Sequence, residues 1–150
     1  MIHPTLSTLF TWQNRIVMIG WIMLLALPLW PQGTLMVSSL IVAACCHYVY
    51  LLALGKRFDD PQHRPGGNFF SLKGVLKLFE HPRSTLAGWT HFIAFDLFVG
   101  LFIATDGAAN GISHWLLIIP LIATLMLGPS GLLLYLVLRL FFGESPLTLM

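Results

Sequence analysis

Trp89-Thr90-His91-Phe92-Ile93-Ala94-Phe95-Asp96-Leu97-Phe98-Val99-Gly100 is the stretch on which the reading of this chain turns. It lies in an apolar run long enough to cross a bilayer as a helix, which takes about 20 residues. Near its middle sits a carboxylate. A charged side chain at bilayer depth costs roughly 2.5–3.5 kcal/mol on insertion scales. A leucine would carry no such penalty, so Asp96 reads as functional. His91 is close enough in sequence to share its proton.

The rest of the chain agrees with a membrane location. Of 150 residues, 57% are hydrophobic and 9% charged, whereas soluble domains carry roughly a quarter charged. Mean hydropathy is +0.81. A chain this short has no interior large enough for so much apolar surface, and lipid must cover the remainder. One domain, residues 1–150, is expected. The net charge of +2 is too small to suggest nucleic acid as a partner. Cys45 and Cys46 are adjacent and cannot staple distant segments. The first apolar run, residues 16–30, lacks a small-x-small cleavage pattern and is followed by more spans. It reads as a retained helix.

Four spans are expected, at residues 14–30, 34–54, 84–105 and 114–142. All must be helices, because lipid satisfies no backbone polar group. Arg15, Lys56, Arg57, Arg64, Lys73, Lys77, Arg83 and Arg139 then all fall on one side of a four-helix transmembrane bundle. The positive-inside rule makes that side cytoplasmic, with both termini there. Residues 69–79 place Phe69, Leu72, Leu76 and Phe79 opposite Lys73, Lys77 and Glu80. This stretch reads as an interfacial amphipathic helix between the second and third spans, or as a loop helix packed on the bundle end.

Depth follows from the 1.5 Å helical rise. His47 and His91 each stand seven residues from the inner end of their spans, roughly 10 Å inside the boundary. Asp96 lies deeper. Ser130 and Tyr135 reach comparable depths, and Asn14 marks the inner mouth. A polar cluster of His47, His91, Asp96, Tyr135 and Ser130 is therefore expected in the inner half of the membrane. An imidazole and a carboxyl that share one proton suit general acid–base work. The plain alternative is interhelical hydrogen bonding, worth about 0.6 kcal/mol on average. Asp106 and His114 flank the outer loop, as caps or as a pair. Gly128-Pro129-Ser130-Gly131 breaks the fourth span near its middle, as a kink or a close-packing site. The tryptophans suit interfacial belts or ring packing. His3, His63 and His81 are expected in solvent. No phosphate-binding loop, zinc-protease or nucleophile-elbow motif is present.

The order Asn14, Gly20-Trp21, Pro28, then Phe70-Ser71-Leu72 and Gly74-Val75-Leu76, then Gly88-Trp89-Thr90-His91-Phe92 with Phe95-Asp96-Leu97-Phe98, Asp106 and Gly128-Pro129-Ser130-Gly131-Leu132 resembles the abscisic-acid-deficient-four-like family. Plant members of that family are plastid membrane proteins needed to make neoxanthin. The resemblance implies a lipid-soluble polyene substrate, a carotenoid or related isoprenoid. In plants the step opens an epoxide to an allenic alcohol, which asks for an acid at oxygen and a base at a vinylic proton. Asp96 is expected to donate and His91 to abstract, with the roles exchangeable. His47, Trp89, Phe95, Ser130 and Tyr135 are expected to contact substrate. No transit-peptide pattern is visible, so a bacterial inner-membrane member is expected.

Two other readings stand beside this one. His47, His91 and Asp96 form a two-histidine, one-carboxylate set that suits non-haem iron and oxygen chemistry on polyenes, with Asp106 and His114 as an alternative contribution. A non-catalytic carotenoid or lipid carrier, or a partner of a separate enzyme, is the third. A transporter fits least, because four spans without an inverted repeat offer little for alternating access. Cofactor and homo-oligomeric state are open from sequence.

Overall fold

The computed structural model describes residues 3–26, 31–59 and 66–142. Pro28, Trp30, His63 and Arg64 lie outside the described residues. Among the described residues the regular structure is helical: α1 (Pro4–Ala26), α2 (Pro31–Ala53), a 3-10 turn at Gly55–Phe58, α3 (Leu72–Phe79), α4 (Pro82–Ala109), α5 (His114–Leu127) and α6 (Pro129–Phe142).

Three of these helices are long and apolar enough to cross a membrane: α1, α2 and α4. The first begins ten residues before the expected start, at Pro4. Pro suits the first helical turn, where its missing N–H is not needed. The second absorbs the expected outer turn, with Gln32 and Gly33 already helical. The third has Pro82 in its first turn and runs to Ala109, a length of about 42 Å.

The expected fourth span is not one continuous helix. Residues 114–142 form two helices of 14 residues each. Each is about 21 Å long, well short of a hydrocarbon core of about 30 Å. They fold back on each other at Gly128, whose φ of +53° lies in the left-handed region that favours glycine. Pro129 then starts α6. The return is tight. A Cβ on Gly131 would stand 2.1 Å from Thr124 Oγ1 and 2.5 Å from the Pro120 carbonyl. Among the described residues there are therefore three helices long and apolar enough to cross a membrane and a hairpin of two shorter apolar helices, in place of four long ones.

This reverses the expected position of Arg139. Its Nε lies 2.7 Å from Asp106 Oδ2, near the C-terminal end of α4. At the opposite end of the bundle, Leu6, Leu51, Leu86 and Ala87 pack together. The described chain thus starts at one end and finishes at the other. Lys56, Arg57, Lys73, Lys77 and Arg83 share the first end, whereas Arg139 stands at the second beside a carboxylate. The expectation that Arg139 shares a side with the other basic residues does not hold for this geometry.

The core runs along α4. Trp21, Leu24, Leu97, Ile103, Leu117, Leu121 and Tyr135 form one buried cluster. Trp21 is therefore a core ring, not part of a belt, while Trp12, Trp89 and Trp115 are exposed. Most remaining large apolar side chains point outward, as lipid contact requires. The short helix α3 is N-capped by Ser71, whose Oγ accepts from the Gly74 N–H at 3.1 Å. Phe69, Phe70, Leu72 and Leu76 are exposed beside it, and Phe79 packs on Gly88 of α4.

Candidate functional site

Asp96 stands at the middle of α4, fourteen residues after Pro82 and thirteen before Ala109. It is half-buried. Opposite it is the tip of the hairpin. A Cβ on Gly128 would lie 2.9 Å from Asp96 Oδ1. Glycine is thus required at the turn twice over, by backbone conformation and by the closeness of the carboxylate. Among the described residues no side chain or backbone group gives Asp96 a hydrogen bond or an ion pair.

The carboxylate opens onto a cleft of about 380 Å³ between α1, α4 and the hairpin tip. Val17, Met18, Trp21, Phe92, Ile93 and residues 125–129 form its walls. Its polar edge is made by Asn14 and Trp89. The Trp89 indole N–H donates to Asn14 Oδ1 at 2.9 Å, and Asn14 Nδ2 donates to the Phe10 carbonyl at 2.8 Å. Met18, Phe92, Met126 and Leu127 are exposed, so the cleft opens sideways on an apolar flank of the bundle.

The expected polar cluster does not assemble. His91 is exposed. Its ring lies 4.5 Å from that of Phe95 and 5.7 Å from that of Tyr48 on α2. Five positions apart on a helix is roughly 140° of rotation. His91 uses that angle to face α2, while Asp96 faces α1 and the hairpin. The shared-proton pair is therefore not formed. Phe95 follows His91 and is exposed. His47 lines a different cleft, between α1 and α2. No group of three or more His, Cys, Asp or Glu side chains capable of holding a metal comes together among the described residues. The set His47, His91 and Asp96 thus does not converge, and Asp106 with His114 does not replace it.

Ser130 is exposed and donates to the Leu127 carbonyl at 3.3 Å. Tyr135 is fully buried, but at the far end of the bundle. Its hydroxyl donates to Asp106 Oδ2, and its ring meets Phe102 edge-on at 5.9 Å. Asp106 belongs to this second group, with Asn110 and Arg139. Arg139 Nη2 donates to Asp106 Oδ1 and to Asn110 Oδ1, both at 3.4 Å. Asn110 Nδ2 donates to the Asp106 carbonyl at 2.8 Å. His114 does not pair with Asp106. Its Nε2 lies 3.3 Å from the Leu25 carbonyl and ties the start of α5 to the end of α1.

Three groupings were missed from sequence. One is this latch of Asp106, Asn110, Tyr135 and Arg139. Its signal was the spacing of four, which puts Asp106 and Asn110 on one helix face and Tyr135 and Arg139 on another. A second is Arg83, whose Nε and Nη2 donate to the two Asp59 carboxylate oxygens at 2.7 and 2.9 Å, and whose Nη1 donates to the Leu51 carbonyl at 3.1 Å. His81 joins them, 3.7 Å from Asp59 Oδ1, and is not free in solvent. The third is Gln13 with Thr90, both buried and joined through Oε1 at 2.8 Å.

Three helices long and apolar enough to cross a membrane, a hairpin of two shorter apolar helices and an unpaired carboxyl in a mostly apolar cleft mark a small membrane protein. The chain belongs to the ABA DEFICIENT 4-like family, which it matches over residues 8–135. No curated protein and no solved structure matches it.

Proposed function

We propose that this protein acts on a carotenoid or related isoprenoid held in the Asp96 cleft, and that Asp96 moves the proton. One observation carries the reading: a carboxyl group without a polar partner, at the middle of a crossing helix, on the wall of an otherwise apolar cleft. Family membership supports a carotenoid-related role, since plant members serve neoxanthin formation.

The cleft holds no imidazole, so the chemistry must run on one group. An isomerisation makes this feasible, because it neither gains nor loses protons. For epoxide opening of the plant type, the carboxyl gives its proton to the ring oxygen as the C–O bond breaks. The carboxylate left behind takes the vinylic proton as the allene forms. The group returns to its starting state. Trp21, Trp89 and Phe92 supply flat apolar walls for a conjugated chain. Asn14, held by Phe10 and Trp89, keeps the polar mouth of the cleft fixed.

The test is Asp96→Asn, which keeps size and removes the transferable proton. Membranes carrying the wild type or the variant are supplied with an epoxy-carotenoid, and pigments are extracted and separated. Loss of product with pigment still bound supports the reading. Product formed at the wild-type rate removes it. Pigment bound but unchanged by both proteins favours a non-catalytic carotenoid-binding role, the second reading that an unpaired cleft of this kind fits. The inner side of the membrane is assigned to the end that carries Lys56, Arg57, Lys73 and Lys77.

A further inference from the structure

We propose that the cleft between α1 and α2, on the face of α1 next to the Asp96 cleft and sharing Val17 with it, is a second binding site, for a hydroxyl-bearing apolar molecule. Gln13 and His47 would hold its oxygen. The proposal does not depend on the Asp96 reading.

The cleft, open along one side, has a volume of about 190 Å³. An apolar cavity of roughly 150 Å³ accepts benzene, so a six-membered ring fits. Ala43 and Ala44 leave the space, and Ile16 and Leu40 line it. Beside the Trp12 indole, Gln13 and His47 bring the polar side chains of the lining. Each has a buried nitrogen without a partner, Gln13 Nε2 and His47 Nε2. Gln13 is 7% exposed. Two residues of one apolar cleft that each keep an orphaned buried nitrogen are unusual, since buried polar groups are almost always satisfied. Each carries a desolvation cost of about 1–3 kcal/mol.

The hydrogen-bond inventory selects the ligand group. The Thr90 hydroxyl has one proton and two acceptors within reach, the Gln13 Oε1 and the Leu86 carbonyl, each at 2.8 Å. If the proton goes to Leu86, the Gln13 amide turns over and presents its oxygen in place of its nitrogen. A carbonyl ligand suits only one of these orientations. A hydroxyl suits both, because it donates and accepts. Imidazole Nε2 likewise meets a hydroxyl in either tautomer.

The experiment measures thermal unfolding of the purified full-length protein in detergent with cyclohexanol or cyclohexane, at equal micellar concentration. Near saturation, cyclohexanol is expected to raise the wild-type midpoint by about 3 °C relative to cyclohexane. In His47→Leu that difference disappears, and the ligand-free midpoint is unchanged or higher, because an orphaned group has been removed. Gln13→Leu, which also loses the Thr90 contact, abolishes the difference too. Equal shifts from the two probes in the wild type would overturn the proposal. So would a difference that survives in His47→Leu. Collapse of ligand-free His47→Leu would overturn it as well, by showing that the imidazole has a partner in the empty protein. Mass spectrometry of extracts from wild type and H47L then assigns the source, as a hydroxylated isoprenoid or an acylglycerol hydroxyl enriched in the wild type. Enrichment of neither would indicate bound water and also count against the site.

Discussion

Arg139 on α6 and Asp106 on α4 meet at 2.7 Å across the far end of the bundle, with the arginine 5% exposed. This contact bolts the re-entrant hairpin to the longest crossing helix. Asp96 lies on the same helix, almost three turns nearer the N-terminus, and receives the hairpin tip. The two ends of α6 therefore act together: one is latched by charge, the other is pressed against the carboxyl by Gly128.

Breaking the latch from one side should be severe. Arg139→Leu leaves Asp106 without its cation, and Asp106→Leu strands the guanidinium. Removing one partner of a buried pair costs about 3–5 kcal/mol. Replacing both with apolar residues should recover most of that loss. Denaturation of the two single variants and the double variant in detergent, read as a cycle, checks the coupling.

Gly128→Ala tests the tip. It places a side chain at φ +53° and pushes a methyl group to 2.9 Å from Asp96 Oδ1. The expected loss exceeds 1 kcal/mol, with product formation strongly reduced. In a background of Asp96→Ala the steric part is relieved and the conformational part remains. The stability penalty of the alanine should therefore be smaller there, though not zero.

Two histidine and carboxylate variants should part company. Asp96→Asn is expected to lower conversion at least 100-fold, in the range typical of removing an acid–base group. His91→Ala, which loses ring contacts with Tyr48, Phe92 and Phe95, should retain conversion within about threefold, since a surface change costs about 0.5 kcal/mol. Parallel pigment assays in the same membranes decide this. Equal losses in both would restore a role for the imidazole.

The crossing number is open to chemical labelling. With Cys45 and Cys46 replaced by serine, single cysteines at Lys56 and at Leu140 should react with a membrane-impermeant maleimide from opposite sides of sealed vesicles. Labelling from one side would return the chain to four crossings.

How much of this was legible in the sequence depends on the element. The crossing helices α2 and α4 follow from hydropathy and length, because lipid leaves the backbone no other choice. Asp96 stands out by its insertion penalty alone, and its mid-helix depth follows from counting residues. The partition of residues 114–142 was less visible. As one helix it would be 29 residues and about 43 Å long, more than a crossing needs. The break at Gly128-Pro129 divides it into two pieces that are each too short. Hydropathy does not distinguish a kink from a reversal. That difference lies in the φ of one glycine and in the contact of Gly131 with Thr124. The partners of Asp96 were not legible either. A helical wheel gives the angle between His91 and Asp96, but only packing says which neighbour lies on each side.

A hairpin that halts at mid-depth leaves a notch beneath its tip, and the walls of that notch are Asn14, Trp89, Phe92 and Asp96. All lie on the side of the turn toward the start of α1. Above the turn, the paired helices and their buried ion pair fill the volume. On the proposed function, an apolar molecule in the leaflet on that side would meet an open flank leading to the acid. On that reading, the half-length hairpin gives this small bundle a one-sided entrance that a set of full-length helices would lack.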